Sequence, residues 1–382
     1  MTPETTVVVD ESIDMMRFRT ANPPGDELAL ATWLAERASA MGMSAVVQDV
    51  SPGRANCIAT VTFGPGPTIV FCTHLDVVPA MLEETWTPQV RDGRLYGRGA
   101  CDAKGPLAAM LAACRRLIAN PPTTGTLILA AVADEETDAT GALRLVHDFD
   151  ADAVIIGEPT SNQPVLSSRG ALRLAVDFTG LASHSSTPHR GRNAIHAAAK
   201  FIVEGERYHA RLLEDGRWAS HAATVVEGGT KLNMVPDRCR VLVDRRLAPD
   251  ESLDAAEAEI TQILDKLKAE DPDLSWAVSK AGVWLEPFTT PTSSRFASRV
   301  LHAVGAAVPG PPFPGGTDAP HFISRGIPAV ILGPGDLEQA HADDEWVEID
   351  QLAAAVDLYE RCALALLGST AESSRERDEI LT

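Results

Sequence analysis

Five times along this chain an apolar run or a glycine-rich turn ends and a carboxylate or histidine follows: His74 and Asp76, Asp102, Glu135 and Glu136, Glu158, and His341. Imidazole nitrogens and carboxylate oxygens are donors that suit zinc, with cobalt or manganese as alternatives. Two histidines and three acids, one of them bridging, would give each of two ions three protein ligands. In His74-Leu75-Asp76 the histidine can ligate through one ring nitrogen while the carboxylate holds the other ring N–H. The adjacent Glu135 and Glu136 would repel each other unless cations or water compensate. One glutamate on a metal and the other moving protons is the division of labour of a metal-assisted hydrolase.

Each of these residues has a plainer role when taken alone. A His-x-Asp pair is commonly a structural hydrogen bond, Asp102 stands just before a helix where aspartate caps, and Glu135-Glu136 could lie on the surface. Joint placement decides between the two sets of roles. The runs 68–73, 127–132, 153–156 and 329–332 are short, aliphatic or β-branched and lack polar alternation, which predicts buried parallel strands. Open α/β sheets bind ligands outside the carboxyl ends of their strands, so these distant residues would meet in one cleft. Cys101 beside Asp102 also raises cysteine-nucleophile chemistry, which ranks below the metal reading because a free cysteine usually packs as a small buried hydrophobe.

Composition narrows the partners. The 382 residues, 45% hydrophobic and 23% charged, are enough for two domains with full cores. With 53 acidic against 33 basic residues the formal charge is -20, which argues against nucleic acid or an anionic membrane surface and favours cationic metals and basic small molecules. Six cysteines are scattered without a CxxC pair, so reduced thiols are expected. No stretch has the length of a membrane span, and Glu4, Asp10, Glu11 and Asp14 stand where a signal peptide would be basic. A cytoplasmic location is the expectation.

The elements that must position the site follow from periodicity. Residues 11–42 have helical spacing broken at Asn22-Pro23-Pro24-Gly25, predicting two helices. Strand and helix then alternate, with 103–117 helical after the Gly97–Asp102 turn, as in a mostly parallel sheet. After Gly170 the pattern changes: 172–178 and 240–247 alternate like half-buried antiparallel strands, 193–206 and 252–270 are amphipathic helices, and 223–227 and 275–278 supply short strands. That β-α-β-β-α-β order is ferredoxin-like and fits an inserted domain. The expected architecture is α/β: a mostly parallel-sheet domain from residues 1–172 and 289–382 that carries the acids and histidines, with an inserted ferredoxin-like α+β domain, 173–288. The polar segment 369–382 carries no readable chemistry.

Taken in order, Thr73-His74-Leu75-Asp76, Gly97-Arg98-Gly99-Ala100-Cys101-Asp102-Ala103-Lys104-Gly105, Asp134-Glu135-Glu136, Gly157-Glu158-Pro159-Thr160 and His341 resemble the M20 metallopeptidase family over nearly the whole chain. The resemblance implies two zinc ions bridged by Asp102, one completed by His74 and Glu158 and the other by Glu136 and His341, with Asp76 orienting His74. It makes Glu135 the general acid/base that deprotonates a bridging water and protonates the departing amine. It also implies a homodimer through the inserted domain, and assigns His184 to the oxyanion and Asn233 to substrate contact. Arg246 would hold the substrate carboxylate, with Gly316-Thr317 in the turn at the substrate's carboxylate end. Plainer roles are a surface loop for His184, a turn for Asn233, an ion pair with Asp244 for Arg246, and a glycine turn for Gly316-Thr317.

The segment from Gly333 to His341, Gly-Pro-Gly-Asp-Leu-Glu-Gln-Ala-His, followed by Asp344-Glu345, looks closest to acetylornithine deacetylases. Hydrolysis of an N-acyl amino acid is therefore the leading expectation. Succinyl-diaminopimelate desuccinylase, and dipeptidase or glutamate carboxypeptidase activity, are the alternatives within the family. A non-catalytic binding protein on the same scaffold comes last, because no ligand or base is missing.

Overall fold

The computed structural model describes residues 1–147, 149–282 and 284–368. The chain divides into two compact units, one built from 1–167, 290–313 and the residues from 317 onward, the other from 168–289 with 314–316.

The first unit is organised around a six-stranded sheet. Its order is Ser44–Ser51, Arg54–Gly64, Gly125–Val132, Thr68–His74, Ala153–Ile156 and Ala329–Ile331. The last four run parallel, as their unbroken apolar sequences predict, and Val70, Phe71 and Cys72 of the central strand are wholly buried. The first two strands pair antiparallel, so the sheet is mixed at one edge. Helices Pro3–Met16, Lys104–Ala119 and Ile349–Leu367 pack on one another, and the last two also pack on the central strand. Phe71 meets Tyr359 with ring centroids 5.6 Å apart, and the Tyr359 hydroxyl donates to the Leu332 carbonyl at 2.7 Å. Burying one such aromatic is worth about 2–3 kcal/mol.

The first helix begins at Pro3 rather than near residue 11. Thr2 caps it by accepting from the Thr5 N–H at 3.1 Å, and proline at the first helical position needs no N–H. The second helix, Leu28–Ala40, starts after the Asn22–Gly25 turn.

In the second unit, Ser220–Gly228, Arg238–Leu247, Gly170–Thr179 and Ser275–Lys280 form an antiparallel sheet in that order. With helices Ala194–Glu214 and Leu253–Glu270 between strands, the topology is the ferredoxin-like one. Asn193 and Ser252 cap the two helices through side-chain oxygens, as their sequence positions suggest. Leu172, Leu174, Val176, Val241 and Val243 bury one sheet face against Phe201, Ile260 and Leu264. Among the described residues, no helix is long and apolar enough to cross a membrane.

His221 sits in this second core, 3% exposed, with its ring edge-on to Phe201 and Tyr208 and no hydrogen-bond partner for Nδ1 among the described residues. Burial, aided by the nearby Arg245 charge, pulls its pKa down to about 4. The unfolded chain therefore takes up a proton near pH 6.5 that the folded chain refuses until about pH 4. Stability falls as pH falls through that window, by about 3 kcal/mol in total from this group. His221→Leu should remove the dependence, so its urea midpoint relative to wild type should rise between pH 7 and pH 4. An unchanged difference would mean that His221 does not fold as a buried neutral ring.

Candidate metal centre

His74 ends the central strand, and its neighbours fix the ring. Nδ1 lies 2.9 Å from the Asp76 carbonyl oxygen, which can only accept, so Nδ1 carries the proton and Nε2 faces outward. Nε2 is 3.0 Å from Asp102 Oδ1 and 3.8 Å from Glu158 Oε1. The Asp76 main chain is thus the nearer partner of that nitrogen, and its carboxylate lies 3.6 Å away. That carboxylate is spoken for: it accepts from the amides of Glu135 and Glu136, both at 3.1 Å, and from Asn22 Nδ2 at 2.8 Å. Asp76 thereby ties the strand end carrying His74 to the turn carrying both glutamates.

The turn itself is built by Asp134, whose φ of 74° is left-handed. Its side chain accepts from Thr137 and Thr140 hydroxyls, from Asn22, and from Arg54 at 2.6 Å. Asn22 and Arg54, far upstream, are functional supports that sequence pattern alone did not single out.

Asp102 does not cap the following helix, whose first turn starts after Ala103 without a side-chain cap. Its carboxylate instead lies between two imidazoles, Oδ1 toward His74 and Oδ2 3.2 Å from His341 Nε2. The same His341 nitrogen is 3.1 Å from Glu136 Oε2. His341 adopts φ 65°, a conformation a non-glycine residue takes at a cost that surrounding structure must offset.

These distances put Asp102 at the centre, with His74 and Glu158 on one side and His341 and Glu136 on the other. Ligand atoms of His74, Asp102 and Glu136 all lie within 4.8 Å of one another. Burial raises Glu158 and Glu135 well above the usual carboxyl range, and raises Glu136 less because His341 partly offsets it. Burial would raise Asp102 too, but hydrogen bonds with His341 and His74 hold it well below. Glu136 Oε1 is buried with no hydrogen-bond partner among the described residues. A crowd of desolvated oxygens, one orphaned and three facing imidazole nitrogens, is the donor set that divalent cations fit.

Glu135 is half-buried in the same cleft, and its carboxylate makes no hydrogen bond among the described residues. Asp318, in the Gly315–Asp318 turn whose resemblance pointed to substrate contact, is 2% exposed with Oδ1 unpartnered among the described residues, and burial pushes its pKa to about 7. Cys101 is consumed structurally: Sγ donates to the Asp336 carbonyl at 3.3 Å, and burial raises its thiol well above the ordinary value. Gly335, at φ 93°, admits that sulfur, since a Cβ there would stand 2.5 Å from it.

In the second unit the exposed His184 accepts from or donates to Ser186 Oγ at 2.7 Å. The short strand Ser183–His184 pairs with Met234–Val235, and the Ser185 amide donates to the Asn233 carbonyl at 3.0 Å, so His184 and Asn233 are neighbours. Arg246 Nε bonds Asp244 Oδ1 at 2.8 Å, while Arg245 points into the core and pairs with Glu251 at 2.6 Å. Thr317 is buried, and its hydroxyl accepts from the Ala319 amide at 3.2 Å; Gly316 precedes it where a Cβ would meet Leu285 at 2.6 Å.

Comparison with known proteins adds four findings. The model of peptidase family M20/M25/M40 matches residues 70–365. A succinyl-diaminopimelate desuccinylase of Xanthomonas euvesicatoria pv. vesicatoria (strain 85-10) is 35% identical over 324 residues, 78% of this chain and 84% of that protein. Its counterpart in Xanthomonas oryzae pv. oryzae (strain MAFF 311018) is 31% identical over 377 residues, 92% of this chain and 96% of that one. Among solved structures, a tripeptidase from Staphylococcus aureus subsp. aureus Mu50 superposes with a TM-score of 0.81 at 20% identity, covering 96% of this chain and 99% of the other.

Proposed function

The chain belongs to peptidase family M20/M25/M40 and is a metal-dependent amide hydrolase, and from that premise we propose that it cleaves the acyl group from an N-acylated diamino acid. The observation that carries the reading is the cluster around Asp102, two imidazoles and three carboxylates drawn to one end of the sheet. We assign two zinc ions to it, His74, Asp102 and Glu158 holding one and Asp102, Glu136 and His341 the other.

Bound there, the ions would supply Lewis-acid polarisation of the scissile carbonyl and would lower the pKa of the attacking water. Glu135 is the group placed to accept a proton from the attacking water and to give one to the departing amine. A carboxyl raised by burial is suited to both steps, because it holds a proton long enough to deliver it near neutral pH. His184 serves the developing oxyanion. Asn233, Gly316 and Thr317 contact the substrate, and Arg246 grips its carboxylate with paired N–H groups, exchanging Asp244 for it. A homodimer through the second unit is supported by its edge strand Ser220–Gly228, which exposes Val225 and Val226, near the exposed Leu232 and Met234.

The relatives favour N-succinyl-diaminopimelate as substrate, whereas the Gly333–His341 segment favours N-acetylornithine; both carry an N-acyl amide and a distal amino group. A panel of these two compounds and dipeptides, each with zinc and with cobalt, separates the readings. We expect one N-acyl diamino acid to exceed dipeptides in kcat/KM by at least about 100-fold. Preference for dipeptides would make the protein a peptidase, and binding without turnover would make it a non-catalytic scaffold.

A further inference from the structure

Glu345, four residues beyond His341, is held by four hydrogen-bond donors. Its side chain is fully buried. Oε1 accepts three backbone N–H groups, from Gly99 at 3.0 Å, Cys101 at 2.8 Å and Asp102 at 3.0 Å. Oε2 accepts from Arg98 Nη1 at 2.6 Å, and Arg98 is equally buried. The other arm of that guanidinium, Nη2, reaches the carbonyl oxygens of His341 at 3.4 Å and Pro79 at 3.5 Å. Backbone closes the ring, since the Gly97 amide donates to the Glu345 carbonyl at 2.9 Å.

We propose that Glu345, through Arg98, is a positioning residue for metal binding, locking the turn that presents Asp102 to the loop that presents His341. The inference rests on the assignment of Asp102 and His341 as ligands. Its physical basis is twofold. Three convergent N–H groups around one carboxylate oxygen fix the backbone from Gly99 to Asp102, and hence the direction in which the Asp102 side chain leaves it. A buried ion pair is a poor source of net stability, because desolvation offsets most of its attraction. Here Arg98 Nε has no partner at all among the described residues. A pair retained at that cost, and joined at both ends to ligand-bearing segments, sets geometry. Its charges cancel, so it does so without adding to the negative charge of the centre.

The test is zinc titration of chelator-stripped protein against a chromophoric competitor, on wild type, Glu345→Gln and Arg98→Lys, with the melting temperature of each metal-free form recorded. Glutamine still accepts from the turn but cannot pair with Arg98. Zinc affinity should fall about 10- to 100-fold at both sites. Excess zinc should then restore turnover. Arg98→Lys keeps the charge at Oε2 but withdraws the arm from the His341 carbonyl, so one site should weaken and the other should not. Unchanged zinc affinity in the variants, whatever happens to their melting temperatures, would reduce the pair to a fold-stabilising role and overturn the proposal. If Glu345→Gln does not fold, the Arg98→Lys titration decides alone. Failure of the ligand assignment would show differently, as an Asp102→Asn protein that binds zinc like wild type.

Discussion

Glu135→Gln should lower kcat by about 10² to 10⁴-fold, the usual contribution of a positioned acid–base group, while leaving metal content and fold intact. The effect is large because the proposed mechanism uses Glu135 twice, as acceptor for the water proton and as donor to the amine. Glutamine has nearly the same shape and can do neither. Metal content should not change, because the Glu135 backbone amide, and not its side chain, is what anchors the turn to Asp76. The side chain makes no hydrogen bond to the Asp102 cluster, in contrast to its neighbour Glu136, 3.1 Å from His341. Steady-state kinetics with metal analysis on the same preparation checks both halves. Retention of near wild-type turnover would remove Glu135 from the chemistry, and loss of metal would make it a ligand.

Asp102→Asn is expected to do the opposite, removing metal and activity together. Asp102 alone faces both imidazoles, through Oδ1 at 3.0 Å and Oδ2 at 3.2 Å. Asparagine keeps the volume but replaces one anionic oxygen with an NH₂ that can only donate, and it deletes the charge that both sites share. Both affinities should therefore fall in a single substitution, by more than the about 10- to 100-fold expected for a residue that only supports a ligand. Glu158→Gln and His341→Ala should each weaken one ion preferentially. Zinc titration of the three variants distinguishes a shared ligand from three independent ones: equal, one-site losses throughout would place no bridge at Asp102.

Much of this centre was legible in the sequence because the parallel strands announce themselves. Runs such as 68–73 and 127–132 have no polar alternation, and strand ends of an open sheet must converge. What sequence left open was decided by contacts between distant segments. The Ser44–Ser51 and Arg54–Gly64 strands were not recognised; they pair antiparallel at the sheet's edge, where half-exposed residues blur the pattern. The start of the first helix was readable in Thr2-Pro3 but carried no apolar periodicity. Asp102 taken alone could be a cap; only His74, at the end of the central strand, and His341, in a distant turn, show where the carboxylate turns. Glu345 was visible only as part of a motif, because its partners Gly99, Cys101 and Asp102 lie more than 240 positions earlier. Arg245 is the reverse case: period-two alternation along 240–247 groups it with Val241, Val243 and Leu247, the face that is buried.

Reconstitution tests the two-ion centre most directly. Metal-free protein, prepared by chelation, should be inactive and should regain amide-hydrolysing activity on zinc addition, saturating at two ions per chain. Bound zinc should also raise stability, by about 2.7 kcal/mol at a free zinc concentration 100 times its dissociation constant. Hydrolysis at the full rate by protein shown to be free of metal would contradict the proposed chemistry, and saturation at a single ion would contradict the bridge at Asp102.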